Sequence, residues 1–380
     1  MTIPFNKPFL TGKETEYIED AVNSGKISGN GKYTQLCHKF FYEKFDFEKS
    51  LLTTSCTDAL EMAAILIEIE KGDEVIIPSY TFVSTANAFV LRGAKVIFAD
   101  SMVDNPNIDA HKIENLVTNK TKAIVVVHYA GISCDMEEIM RIAKKYNLFV
   151  IEDAAQAIDS FYIGKDGVKK RLGSIGHLAA FSFHETKNII SGEGGLLVIN
   201  DQKFAERAEI IWEKGTNRSA FFRGSVDKYG WVDIGSSFLP SDIIAAFLYA
   251  QLEQIELIQS IRKDNWNLYL SNLKILEEKS IIKLPKIPSY ATNNAHMFYL
   301  QCKNLNERSE LINFLKKRGI NAVFHYLSLH KSPYFSDKYE GLDLKNSDNY
   351  SDCLLRLPMY KTLTPSDVNF VCESIKEFYL

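Results

Sequence analysis

Seven short apolar runs between Ser50 and Asn200 constrain this chain more than any other feature. They are Ser50–Thr53, Glu74–Pro78, Lys95–Ala99, Lys122–Val127, Leu148–Glu152, Leu178–Phe183 and Gly195–Ile199, each rich in Val, Ile, Leu or Phe. Runs that are short and apolar along most of their length are what strands buried on both faces look like. Longer amphipathic stretches separate them, with helices expected over about 56–69 and 81–91. Such alternation is the pattern of βαβ units, which stack helices on a mostly parallel sheet. The expected fold class is therefore α/β, with a large domain on a mostly parallel seven-stranded sheet.

Past Asp201 the pattern changes. A helix is expected to Lys214, then a polar, aromatic-rich loop over 215–237, then one long apolar-periodic helix from about Ser241 toward Glu278. A loop of that length is more than a connector. Beyond Pro285 and Pro288 a smaller α+β unit is expected, with a strand near Met297–Cys302 and helices over 307–318 and 366–379. A chain of 380 residues is long enough for two or three domains. The boundary is placed near residue 245, giving a large domain over 1–245 and a long connecting helix plus small domain over 246–380.

Composition excludes several classes. Hydrophobic residues make up 46% and charged residues 24%, which is ordinary for a globular protein and unlike disordered or fibrous chains. A formal net charge of -4 with no basic stripe argues against nucleic acid as a partner. Six cysteines (Cys37, Cys56, Cys134, Cys302, Cys353, Cys372) lie far apart without zinc-ligand spacing, as reduced thiols of a cytoplasmic protein would. No signal-peptide core precedes Leu10, and no run reaches the roughly 20 apolar residues of a membrane span. No metal site and no membrane partner are expected.

Four segments carry chemistry. Phe149-Val150-Ile151-Glu152-Asp153 reads as a strand ending in two carboxylates, and ligands of open α/β sheets sit beyond such strand ends. Taken alone, Asp153 is more often a helix cap; Gln156 lies on the same turn. Phe181-Ser182-Phe183-His184-Glu185-Thr186-Lys187 leaves a buried strand and meets the cluster Gly192-Glu193-Gly194-Gly195, so Lys187 can turn inward, where desolvation frees its amine. An isolated lysine there would be a solvated loop residue, and Ser182 a capping hydroxyl. Thr53-Thr54-Ser55-Cys56-Thr57-Asp58 lies between a strand and a helix, where backbone N–H groups favour an anion; Ser55 or Thr57 serves equally as a plain N-cap. Phe82 opens the next helix, where its ring can stack on a flat ligand or simply join the core. A lysine, an acid, a phosphate cup and a stacking ring are together the set a pyridoxal cofactor needs.

These segments, in this order and spacing, resemble the DegT/DnrJ/StrS sugar-nucleotide aminotransferases, which have the fold-type-I architecture. The likeness is carried most specifically by the run Pro78–Phe89, by Phe181–Lys187 and by Glu213-Lys214-Gly215-Thr216-Asn217-Arg218. It implies pyridoxal 5'-phosphate held by Lys187, with Asp153 on the pyridine nitrogen and Gln156 against the ring or its 3-hydroxyl. It also implies Thr57, Asp58 and Ser182 around the phosphate, and Phe82 stacked on the ring. Family members are homodimers with shared sites; many place an asparagine before the helix that here starts near Ser241. This chain reads Ser236-Ser237-Phe238-Leu239, with Ser237 in the place of that contact to the partner's cofactor phosphate. Asn217, Arg218, Arg223, Lys228 and Tyr229 suit a nucleotide by their mix of cations and aromatics, and His184, His325 and Tyr326 are further substrate candidates.

The implied reaction moves an amino group from glutamate to C4 of dTDP-4-keto-6-deoxyglucose, giving a dTDP-4-amino-4,6-dideoxy sugar for surface polysaccharides such as O-antigen. The galacto or gluco configuration of the product, a dTDP or UDP carrier, and 3-keto or 4-keto specificity stay open at this point. Two rivals are a sugar dehydratase, which replaces the lysine with histidine, and a non-catalytic regulator that binds a sugar nucleotide or the cofactor on the same scaffold.

Overall fold

The structure is a computed structural model and describes residues 2–379. Its strands are β1 (Ser50–Thr53), β2 (Glu74–Pro78), β3 (Lys95–Ala99), β4 (Thr121–Val127), β5 (Phe149–Asp153), β6 (Phe161–Ile163), β7 (Lys169–Arg171), β8 (Leu178–Ser182), β9 (Gly195–Ile199), β10 (Phe298–Gln301), β11 (Val323–Phe324) and β12 (Leu354–Leu357). All seven expected runs fall into one sheet, ordered β1-β9-β8-β5-β4-β2-β3. The sheet is mostly parallel: β9 alone opposes its neighbours, pairing antiparallel with β1 and β8.

The period-2 geometry of a strand sends alternate residues to opposite faces. Ile124 and Val126 of β4 accordingly pack into one apolar layer, Ala123 and Val125 into the other. Both faces are covered by helices, which explains why these strands are apolar throughout rather than alternating.

The outer edge of the sheet is closed by side chains. Leu52 in β1 turns its outward N–H to His38 Nε2 at 3.0 Å and its carbonyl to Trp212 Nε1 at 2.6 Å. An edge strand with free ladder groups invites pairing with another chain, and these two bonds remove that opening.

One expectation needs correction. The long helix expected from Ser241 to Glu278 is two helices, Asp242–Leu252 and Ile255–Glu278, broken at Gln254 with φ -110° and ψ 14°. The first packs on Glu14–Asn23 and Lys32–Phe45. Its buried Gln251 is held by the Phe9 carbonyl and Glu14. The second turns away and packs on the C-terminal helix Pro365–Tyr379. Neither glycine nor proline marks the break. Two different packing surfaces impose it.

The C-terminal part centres on a three-stranded sheet, β10-β12-β11, whose apolar layer joins Trp266, Tyr269, Leu300, Leu355 and Val371. Ile3 belongs to this layer too, tied through Ile3 N–H to the Gly319 carbonyl at 2.8 Å. Residues 3–6 therefore cross from the C-terminal sheet toward the large one, where Asn6 reaches the Glu185 carbonyl.

Candidate active site

The carboxyl ends of β5 and β8, and the turns after β1 and β2, surround one cavity of about 710 Å³. Its far wall is C-terminal: His296 and Met297 before β10, His325 and Tyr326 after β11, Arg356 and Leu357 in β12. Phe5 and Asn6 close one side, the Asn6 side-chain amide donating to the Glu185 carbonyl at 3.1 Å.

Lys187 lines this cavity. Its chain leaves β8, turns at His184, whose carbonyl accepts from Lys187 N–H at 2.9 Å, and is pinned at Glu185 by the Gly192 carbonyl. Loss of bulk water pushes the Lys187 ammonium below its ordinary value, and Arg356 adds to the push, while Cys56 and Asp153 oppose it. A lysine held this way gives up its proton more readily, as an amine that must attack an aldehyde requires.

Asp153 is buried at the end of β5. Its Oδ2 accepts from Thr85 Oγ1 at 2.7 Å and its Oδ1 from Ala155 N–H at 3.2 Å, and no helix follows for it to cap. Burial raises its pKa above the ordinary carboxylate value, and the Thr85 hydroxyl, the Ala155 N–H and Lys187 work against that rise. A carboxylate offers about four acceptor positions, so two bonds leave capacity for a cationic N–H donor from the cavity side.

Gln156 is locked at both ends. Its Oε1 accepts from Ala130 N–H at 2.6 Å and its Nε2 donates to Tyr326 Oη at 2.9 Å. Tyr326 in turn stacks on His325, whose Nδ1 meets Tyr129 Oη at 2.7 Å. Burial together with Arg356 and Lys187 drives His325 well below the usual histidine range, so it stays neutral.

The turn after β1 presents a helix N-terminus to the cavity. Ser55 is the N-cap of Cys56–Leu66, accepting from Asp58 N–H at 3.1 Å. Cys56 and Thr57 line the cavity, and Thr57 Oγ1 bonds Ser84 Oγ at 2.8 Å. Gly195 of β9 makes this turn possible: a Cβ there would lie 2.4 Å from the Ser55 carbonyl carbon. Asp58 itself is turned away, its carboxylate accepting from Thr54 Oγ1, and it does not line the cavity. Ser182, His184 and Phe82 do; Phe82 is 55% exposed, at the mouth, 6.1 Å from Tyr326.

The segment over 216–231 is not brought to this cavity within one chain. Asn217 Oδ1 accepts from Gly230 N–H at 2.8 Å, and Arg223 is paired with Glu209 at 2.7 Å. Arg218 lies over Phe222, and Tyr229 packs on Phe221. Lys228 is exposed, as is Ser237 on the strand-like bridge to Glu213. None of the six lines the cavity.

Arg356 and His296 are among the cavity residues that the sequence did not single out. Arg356 has no carboxylate partner: one Nη donates to the Phe324 carbonyl at 3.2 Å, the guanidinium lies over Phe5, and the buried Nε has no partner among the described residues. Desolvation lowers its basicity. An arginine inside the apolar strand Leu354-Leu355-Arg356-Leu357 was a legible signal. His296, buried beside Asn188, had none.

A model of the DegT/DnrJ/EryC1/StrS aminotransferase family matches residues 8–376. The chain belongs to that family. It is 34% identical over 378 residues to GDP-perosamine synthase of Escherichia coli O157:H7, covering 99% of this chain and 98% of that one. The aminotransferase TlmJ of Streptoalloteichus hindustanus superposes with a TM-score of 0.90 at 25% identity, covering 100% of this chain and 99% of that one. NtdA of Bacillus subtilis, solved with bound cofactor PMP, gives a TM-score of 0.86 at 26% identity, covering 97% of this chain and 82% of that one.

The family's cofactor is pyridoxal phosphate, and the donor set fits it. Lys187 and Asp153 share one water-poor cavity, Asp153 has acceptor capacity to spare, and the Ser55–Thr57 turn aims backbone N–H groups inward. The protein is a pyridoxal-phosphate-dependent sugar aminotransferase.

Proposed function

We propose that the protein transfers the amino group of glutamate to C4 of a nucleotide-linked 4-keto-6-deoxy sugar. The observation that carries this is that Lys187 lines one cavity with Arg356, whose guanidinium has no carboxylate partner and whose buried Nε has no partner among the described residues. An amine near a fixed cation without a carboxylate of its own suits a donor with a carboxylate, as glutamate has. Pyridoxal phosphate, when bound, supplies the electron sink that acidifies the C–H bond beside the transferred nitrogen.

The chain's residues then divide the labour. Lys187, lowered in basicity, takes the proton from the donor carbon and returns it on the other side of the exchange. Asp153, steadied by Thr85, would hold positive charge on the ring nitrogen. Gln156 and Phe82 would hold the ring, and Thr57, Ser182 and the N–H groups after Ser55 would hold the phosphate. Asp58 contributes only through its place in that helix turn. His184, His325 and Tyr326 face the substrate.

dTDP-4-keto-6-deoxyglucose is the acceptor that the resemblance of the 78–89 and 181–187 runs favours. The 34% identical relative bears GDP in its name, which favours a GDP-linked sugar as the second candidate. Asn217, Arg218, Arg223, Lys228, Tyr229 and Ser237 serve the site of a second subunit in a homodimer, since they lie off this chain's own cavity. We place the enzyme in the cytoplasm, with units over 1–245 and 246–380, making an amino sugar for surface polysaccharide.

The test is turnover of dTDP- and GDP-linked 4-keto-6-deoxy sugars with glutamate, followed by NMR of the product at C4. The visible band of the holoenzyme should fade on adding glutamate and return on adding the keto sugar. A protein that binds cofactor yet shows no change with any amino donor would be a regulator instead.

A further inference from the structure

His296 belongs to the cavity wall, although nothing in the proposed reaction employs it. The surrounding hydrogen bonds decide which of its nitrogens carries the proton. The Asn188 amide faces the Asn294 backbone carbonyl at 2.9 Å and Gln259 Oε1 at 2.7 Å. A backbone carbonyl only accepts, so that end of Asn188 is its NH2 group. The other end, Oδ1, lies 2.9 Å from His296 Nδ1. Nδ1 must therefore donate, and Nε2 of the neutral ring carries a lone pair. Nε2 has no hydrogen-bond partner among the described residues.

The ring is also held in place. The His296 backbone N–H donates to Asn294 Oδ1 at 3.0 Å, and the Asn294 amide donates to the carbonyls of Gln156 and Ile158, both at 2.8 Å. Arg262 donates to the carbonyls of Ala295 at 3.1 Å and His296 at 2.6 Å. Ala295 sits at φ 53°, a left-handed conformation costly for a residue with a Cβ, kept by these bonds. Burial, with Lys187, Arg262 and Arg356 around it, keeps the imidazole neutral.

We infer that His296 is a specificity-determining residue of the acceptor half-reaction, its Nε2 lone pair accepting a hydrogen bond from a hydroxyl of the sugar. The inference rests on the sugar aminotransferase reading above. The cavity's polar groups are sorted by sign: Lys187, Arg356 and the helix N-terminus after Ser55 suit carboxylate and phosphate. A bare ring nitrogen that only accepts repels both. It needs a ligand that donates, and a sugar hydroxyl does. A polar site left unpaired by an analogue lacking that hydroxyl rejects it strongly.

The variant that separates the two nitrogens is His296→Asn, which keeps a donor toward Asn188 and removes the acceptor. His296→Gln carries an acceptor out to the Nε2 position. Both are compared with wild type in single turnovers, with glutamate and then with the keto sugar and analogues each lacking one hydroxyl. Expected is a glutamate half-reaction within about twofold of wild type, and a sugar half-reaction about 10- to 100-fold slower in kcat/KM for His296→Asn. One deoxy analogue should lose that same factor with wild type and nothing further with His296→Asn, and His296→Gln should recover part of the discrimination. Nitrogen-15 NMR of histidine-labelled wild type should show an unprotonated Nε2 at His296 that shifts when a nucleotide sugar binds. The inference is overturned if both half-reactions fall together, if His296→Asn discriminates every hydroxyl as wild type does, or if the NMR places the proton on Nε2. Should His296→Asn fail to fold, the NMR shift and the wild-type deoxy series decide. If wild type itself aminates no keto sugar, the reading of the reaction fails, whatever His296 does.

Discussion

Lys187 illustrates how little a single residue means outside its surroundings. In sequence it is a loop lysine; in the fold it faces a cavity with Asp153, Cys56 and Arg356, removed from bulk water. Lys187→Ala should abolish the glutamate-induced spectral change and lower turnover by at least ~10³-fold, measured by stopped-flow absorbance. Asp153 permits a sharper expectation. In the proposed role it must be ionised to hold charge on the ring, burial already raises its pKa, and Thr85 opposes the rise. Thr85→Val removes that donor, so the carboxyl protonates at higher pH and the acid limb of the kcat profile moves up. An acid limb that stays put would show that Asp153 does not set it. Both residues were found from the sequence because they follow recognisable strands. Arg356 stood out only as an arginine in an apolar strand and His296 did not stand out at all, and the place of both in the cavity takes shape only when β12 and the turn before β10 fold over the large sheet.

At the scale of elements, β1 is an edge strand of the sheet whose residues are nonetheless all buried. His38 reaches from the helix Lys32–Phe45 to accept the Leu52 N–H, and burial with nearby Lys49 pushes its pKa down to about 4. A base depressed from its free value of about 6.5 adds stability above that value, and the benefit is lost as pH falls through about 4. The difference corresponds to ~3 kcal/mol across that window. His38→Phe should therefore be less stable than wild type at pH 7 by about 1–3 kcal/mol, having left Leu52 N–H unpaired. The gap should narrow as the pH is taken from 7 toward 4, read from thermal unfolding at each pH. Parallel stability curves for the two proteins would refute the role of the ring. The strands around this edge were legible because burial on both faces leaves an unmistakable apolar run. The break at Gln254 was not, because the apolar period continues across it and only the packing of Gln251 on Glu14 redirects the chain.

For the whole molecule, the open question is what completes the cavity. The segment over 216–231 and Ser237 stand clear of it, with Trp231 84% exposed. In the proposed homodimer these residues reach the partner's site, and complementation tests that directly. Lys187→Ala and Arg218→Ala proteins, each inactive alone, should regain about a quarter of wild-type activity once mixed and allowed to exchange subunits, because half the dimers then hold one intact site. No recovery, with exchange confirmed by mass spectrometry, would place Arg218 in its own chain's site. By itself the sequence determined the mostly parallel sheet, the strand end that carries Asp153, and the lysine after β8, since local pattern and strand burial specify these wherever the chain goes. Tertiary structure alone decided which side chains meet across the cavity, because residues as distant in sequence as Asn6, Lys187, His296 and Arg356 line it together. It also decided the tautomer of His296, which depends on a carbonyl, an amide and a ring brought together from two parts of the chain.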